Sequence, residues 1–508
     1  MGRGGAYPAD HPARRVGGVA LPETTAPPMP RLLALLALLW AFPAAAQLGE
    51  TTFPNSGAAE AQEPFLRGVL LLHSFEYDDA REAFQEARAV DPDFALAAWG
   101  EAMTHNHPVW QRQDREAALA ALESLGAGWA TAGETEREDA YLGTLAVLYG
   151  DGAKEDRDDA YAEAVRELAG RFPDDLDART FYALALLGTA HEGRDFATYM
   201  RAAAVAEEVF AANPRHPGAA HYLIHAYDDP VHAPLGLRPA RVYADVAPAA
   251  SHALHMPSHI YLALGMWEET AEMNRRSYEA AKANTDRRGA PLNGHGWHAL
   301  WWWHYAETQL GDRAEADRLL ALAIDHGQAD ADDATAQAHV VRVGAQHAAA
   351  FGDAAPLDDP VAQAAAGLSN RAILTLARAV VALDAGDVEA ASLLSDDLHA
   401  AVTADADAPW SARSADLQLR GRVLIAGGET ERGLALLREA AEVETAAPLT
   451  FGPPAPVVPS NEALAEALAG LGRADEAATA FEAALNRAPN RRPSAPALDA
   501  LRAGRGTR

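Results

Sequence analysis

Two histidine pairs with the same internal spacing recur at a fixed interval. His221 and His225 stand four residues apart in His221-Tyr-Leu-Ile-His225, and His255 and His259 stand four apart in His255-Met-Pro-Ser-His259. Corresponding members of the two pairs are separated by 34 residues. A spacing of four puts two side chains on one face of a helix, one turn apart. An interval of this length between equivalent helices is that of a helix–turn–helix unit that stacks on copies of itself. Equivalent helices of stacked units lie side by side at about 8–10 Å. The chain is therefore predicted to present two histidine pairs, facing the same way, on neighbouring helices.

A repeat array also accounts for the length, since 508 residues exceed one ordinary globular unit. Ala, Leu, Glu and Arg dominate and aromatics are 7%, which favours helix throughout. No run of alternating β-branched residues predicts a strand. The expected fold class is all-α, a right-handed superhelix of roughly eight to ten helical hairpins.

Composition narrows the chemistry. With 72 acidic against 42 basic residues the net charge is −30, which repels nucleic acid and anionic membranes, so neither is an expected partner. There is no cysteine. Disulfides, thiolate metal sites and cysteine nucleophiles are excluded, and any metal must be held by imidazole and oxygen.

Near the N-terminus, residues 29–46 read as a secretory signal peptide. Arg31 supplies the short positive segment, residues 32–42 the apolar stretch, and Ala44, Ala45 and Ala46 a small-residue cleavage site. The apolar stretch is too short to span a membrane, so an exported chain, periplasmic or secreted, is expected without membrane insertion after cleavage. Residues 1–28, rich in Gly, Pro and Arg, read as a spurious or disordered extension ahead of a start at Met29.

Residues 47–63 are polar and read as a flexible lead-in, followed by helical repeats over 64–215. Histidine-bearing repeats are expected over 216–330 and further repeats over 331–446. A proline-rich linker (447–460), a last repeat (461–492) and a basic tail (493–508) close the chain. In the first repeat Ala80, Phe84, Ala87 and Pro92 take the small, aromatic, small and closing positions of such a unit, and Ala477, Phe481, Ala484 and Pro489 do so in the last. Small residues let helices approach, and a proline ends the second helix.

Around the two pairs the stripe widens. His252, His255 and His259 follow at three- and four-residue steps, as do His221, His225 and Asp228, and the next repeat carries His298 and His304. Imidazole suits Zn, Cu, Fe and Ni, and an aspartate supplies a hard ligand or orients a ring. The expected metal ligands are His221, His225, His255 and His259, joined by His252, His298 and Asp228. His107, Asp229 and His304 are candidate supporting residues. His216 and His232 fall in loops beside prolines, and Trp301, Trp302 and Trp303 read as core and wall.

At these residues the chain resembles a family of exported bacterial tetratricopeptide (TPR) repeat proteins. The motifs are NHPVW (106–110), HPGAAHYLIHAYDDPVHAPLGL (216–237), HALHMPSHIYLALGMW (252–267), WHALWWWHYA (297–306) and TFGPP (450–454). The resemblance implies a TPR-like α-solenoid with the histidine stripe lining its concave groove, and it implies no reaction. The expected function is an exported TPR binding protein with a histidine-lined divalent-metal site, taking a protein or peptide in the groove or a small substrate at the metal. A metal-dependent hydrolytic or oxidative enzyme and a metal-free peptide scaffold are the alternatives.

Overall fold

The computed structural model describes residues 47–505, so the extension at 1–28 and the signal segment at 29–46 lie outside the described residues. Helices and tight turns alternate from the hairpin Gln62–His73 and Tyr77–Val90 to the hairpin Ser460–Gly470 and Ala474–Arg487. First helices begin at residues 217 and 251, and again at 334 and 368, keeping the 34-residue interval. The fold is an all-α, TPR-like solenoid. Strand among the described residues is confined to an antiparallel pairing of Asn106–His107 with Arg112–Gln113, closing the turn around Pro108. None of the described helices is long and apolar enough to cross a membrane.

Part of the acidic excess is spent on starting helices. Asp114, Asp175, Asp195, Asp312, Asp333 and Asp387 each accept a backbone N–H at a helix N-terminus, and Thr135 and Glu138 form a reciprocal capping box. Each cap satisfies a donor the helix cannot, and the negative charge sits at the positive end of the dipole. Between helices the small and aromatic positions interlock. Phe84 is fully buried over Gly68 and Gly100, where an added Cβ would meet its ring at 2.7 and 2.4 Å.

Both ends of the array fold back onto its middle. Residues 47–58, read as a lead-in from their polarity, pack inward. Glu50 N–H donates to Arg215 O (2.9 Å), Thr51 Oγ1 to Asp177 (2.7 Å), and Phe53 lies against Phe65 and Trp99. The turn after the first helix reaches the centre too, because Glu76 accepts from Ser251 Oγ (2.7 Å) and from His252 N–H (2.8 Å). From the other end, Trp267 Nε1 donates to Asn490 O (3.0 Å), and Arg491 joins Glu462 to Tyr305 Oη. The basic tail continues as a helix, Ser494–Arg505, with Leu498 buried. Arg491 and Ser494 anchor its start on the buried Glu462 carboxylate.

Candidate metal centre

Six histidines converge between the turn after the first helix and the segment around Phe451. Pro217–Tyr227 carries His221 and His225; Ser251–His255 and Pro257–Ala263 carry His252, His255 and His259; Gly294–Leu310 carries His298. Pro257 has no N–H to donate and its ring crowds the carbonyl four residues back, so that segment splits into two short helices. Met256 keeps helical angles (φ −55°, ψ −37°), and the His255 and His259 rings stay on one face, 4.8 Å apart.

The rings sort into two triads rather than one four-histidine point. His221, His225 and His252 form one, and His255, His259 and His298 the other. In each, one ring nitrogen per residue lies within 4.8 Å of the others. Each i,i+4 pair is thus completed by a histidine from the next first helix, not by the pair one repeat away. The triads abut, with His225 and His259 at 5.7 Å and His252 and His255 at 5.9 Å between ring centroids.

Hydrogen bonds settle which nitrogens are free. His221 Nδ1 donates to the His73 carbonyl (2.7 Å), and His259 Nδ1 to the Asp228 carboxylate (2.5 Å). Asn274 Nδ2 donates to Thr270 O, which leaves its Oδ1 to accept from His255 Nδ1 (2.6 Å). These oxygens only accept, so in all three rings Nδ1 carries the hydrogen. His255 Nε2 and His259 Nε2 then face each other at 3.0 Å. His221 Nε2, His252 Nε2 and both nitrogens of His225 are buried without a hydrogen-bond partner. A buried polar atom left unpaired costs about 1–3 kcal/mol.

Burial, followed by the crowding of neighbouring imidazoles, holds His225, His252, His255 and His298 well below the ordinary histidine range. Burial pushes His221 down to about 3. Neutral imidazoles are the form a metal requires.

The walls are aromatic. Phe75 lies 4.3 Å from the His221 ring, and the fully buried Trp302 lies 4.8 and 4.6 Å from His255 and His259. Segment 447–460, read as a linker, is non-helical up to Pro459 but turns inward, setting Phe451 against His225 (6.1 Å) and His259 (5.8 Å). Gly452 next to it has φ +86°, and an added Cβ would meet Trp302 at 2.4 Å. Five of the six rings therefore lie buried among these aromatic side chains, where an open concave groove was expected. His298 alone of the six is only half-buried.

The remaining sequence-predicted residues divide by role. Asp228 orients His259. Asp229 is taken up by Arg194 (3.1 Å) and His232 (2.9 Å), and Arg194 also donates to the carbonyls of His225 and Ala226, capping their helix. His107 stacks on Tyr77 at 3.9 Å and donates to Thr104 O, in a wall that Trp110 extends to His252. His304 pairs with His347 (3.2 Å) on the following repeat, apart from the triads. His216, placed in a loop by its prolines, caps the 217–227 helix by accepting from Ala219 N–H (3.3 Å).

Several site residues carried no sequence signal. Asn274 lies on the second helix of a hairpin, Glu76 in the turn after the first helix, and His295 in the first turn of the Gly294–Leu310 helix. His295 lies 5.0 Å from the His252 ring and 3.8 Å from Glu76. A third group, His73, Asp177 and His216, is also fully buried. His73 joins Asp177 (2.9 Å) to Tyr222 Oη (3.1 Å), Asp177 accepts from Thr51, and His216 Nε2 stands 3.4 Å from the same carboxylate without a hydrogen bond. Burial raises Asp177, but the two imidazoles more than offset it and hold the carboxyl below its usual range.

No family model matches the chain, and no curated protein matches it. Among solved structures it is similar to the APC/C hetero-tetramer Cut9–Hcn1, at 14% identity over 92% of this chain and 81% of that one, with a TM-score of 0.37. Yeast Tom70 aligns at 11% identity over 88% and 89% of the two chains, with a TM-score of 0.31. Human IFIT1 bound to PPP-AAAA aligns at 13% over 91% and 99%, with a TM-score of 0.40. Likenesses this distant transfer neither ligand nor partner, and the fold assignment rests on the hairpins themselves.

Proposed function

We propose that this chain is a metal protein built on a TPR-like solenoid, its buried histidines holding divalent transition metal. The observation that carries this reading is the pair of Nε2 atoms of His255 and His259, facing at 3.0 Å with both Nδ1 hydrogens already committed. Two lone pairs at that separation repel unless a cation lies between them. Two nitrogens on one tetrahedral ion, with bonds of about 2.0–2.1 Å, stand roughly 3.3 Å apart. A shared proton would satisfy that pair alone, whereas His221, His225 and His252 carry the same unmet need beside it. All-imidazole sets suit Zn, Cu, Fe and Ni.

The metal would supply Lewis-acid or oxygen chemistry at an open coordination position. The chain's own residues hold and orient the ligands through Asp228, Asn274 and the His73 carbonyl, while Phe75, Trp302 and Phe451 keep water away. Burial of these rings favours a small molecule over a peptide at the metal. The signal-like segment would deliver the protein to the periplasm or beyond. The test is elemental analysis of protein isolated from its native compartment, with uptake of Zn(II) and Cu(II) by chelator-treated protein. Bound transition metal is expected, lost in the double variant H225A/H259A with helical circular dichroism unchanged. Metal-free native protein that also takes up neither ion would overturn the proposal.

A further inference from the structure

The two triads are one ligand set written twice. Moving 34 residues along the chain carries His221 to His255 and His225 to His259. The third member is in each case a histidine near the start of the next first helix: His252 for the first pair and His298 for the second. We propose that the pocket binds two transition-metal ions side by side, one on His221, His225 and His252 and the other on His255, His259 and His298. This rests on the metal-protein reading above and adds the number of ions and their arrangement.

Three observations carry it. Each triad supplies three nitrogens within mutual reach, the protein complement of a four-coordinate ion that keeps one position open. The triads share an edge, His225 and His252 facing His259 and His255, and the Phe451 ring lies over one histidine of each. Each triad also has its own buried carboxylate. Asp228 accepts from His259 Nδ1 in the second, and Glu76 accepts from the His252 backbone N–H in the first. Two buried cations on neutral rings need compensating charge, and the two carboxylates stand where it is needed. Two ions so held would supply Lewis-acid or oxygen chemistry to a small oxygen ligand, water-derived or diatomic. Copper is the ion of choice, being the divalent ion such nitrogen sets bind most tightly.

The test uses the chelator-treated full chain, titrated with Cu(II) alone and with Zn(II) alone in the presence of glycine as a weak competitor. Bound metal is counted after desalting. Two equivalents are expected for the unaltered protein and one each for H252A and H298A, with H252Q and H298Q standing in should an alanine variant lose helical circular dichroism. In the copper-loaded protein, proximity of the ions should broaden or abolish the paramagnetic resonance signal, and H298A should restore the spectrum of a single isolated Cu(II). One equivalent in the unaltered protein would overturn the pair while leaving a single centre standing; none would overturn both readings. Two equivalents persisting in H252A or H298A, or two magnetically isolated Cu(II) ions in the unaltered protein, would also overturn the pair.

Discussion

Replacing Asp228 by Asn tests whether the second triad is held by an oriented ring. The carboxylate and His259 are both buried, and Oδ2 accepts from Nδ1 at 2.5 Å. The amide keeps shape and an acceptor oxygen but removes the charge. Hydrogen bonds to a charged group contribute about 1.5–3 kcal/mol, against about 0.5–1.5 for a neutral pair. The exchange should therefore cost about 1–1.5 kcal/mol in the metal-bound state, or roughly 5–13-fold in affinity. Losing the carboxylate beside a cation adds to this, so the drop should approach the 10- to 100-fold typical of partners of metal-bound histidines. The assay is competition for Zn(II) or Cu(II) against a chelator of known affinity, with thermal unfolding of the metal-free protein as control. An affinity within twofold of the unaltered protein would show that Asp228 does not act through a metal-bound His259.

Three further outcomes are expected. Gly452→Ala forces an L side chain into the left-handed region, at about 1–2 kcal/mol, and drives a Cβ onto Trp302 at about 1–3 kcal/mol more; the urea midpoint should fall and metal should pass to a chelator faster, and unchanged values for both would refute the close packing of Gly452 on Trp302. His304 is buried beside His347, and burial pushes it down to about 3. Because the folded value lies below the unfolded one of about 6.5, the unfolded chain binds more protons between them, and stability falls as pH is lowered through that window. At pH 5 this one group should remove about 2 kcal/mol relative to pH 7, measured by urea unfolding of metal-free protein; equal losses in H304Q would refute it. Asp177→Asn leaves His73 and His216 without their shared carboxylate and should destabilise by about 3–5 kcal/mol. Metal stoichiometry should be unchanged, and a fall would make that third group a ligand set.

The chain's order of residues carried the local structure and half of the site. The 34-residue offset, the small and aromatic packing positions and the absence of strand patterning led to an all-α repeat array, because helix periodicity and hairpin stacking act over tens of residues. The same periodicity put His221 with His225 and His255 with His259, a one-turn relation any helix enforces. Which rings meet across helices was a different matter. It depended on His252 and His298 completing the pairs from the following helices. The burial of the rings was decided later still. Phe75 and Glu76 arrive from the first hairpin, Asn274 from a second helix, and Phe451 from a proline-rich stretch some two hundred residues past the histidines. Contacts of that range arise only when both ends of the solenoid fold onto its middle, and no local propensity records such a return. Sequence periodicity thus determined the helices and the faces they offer; the tertiary packing buried a stripe expected to line an open groove and separated six histidines into two sets.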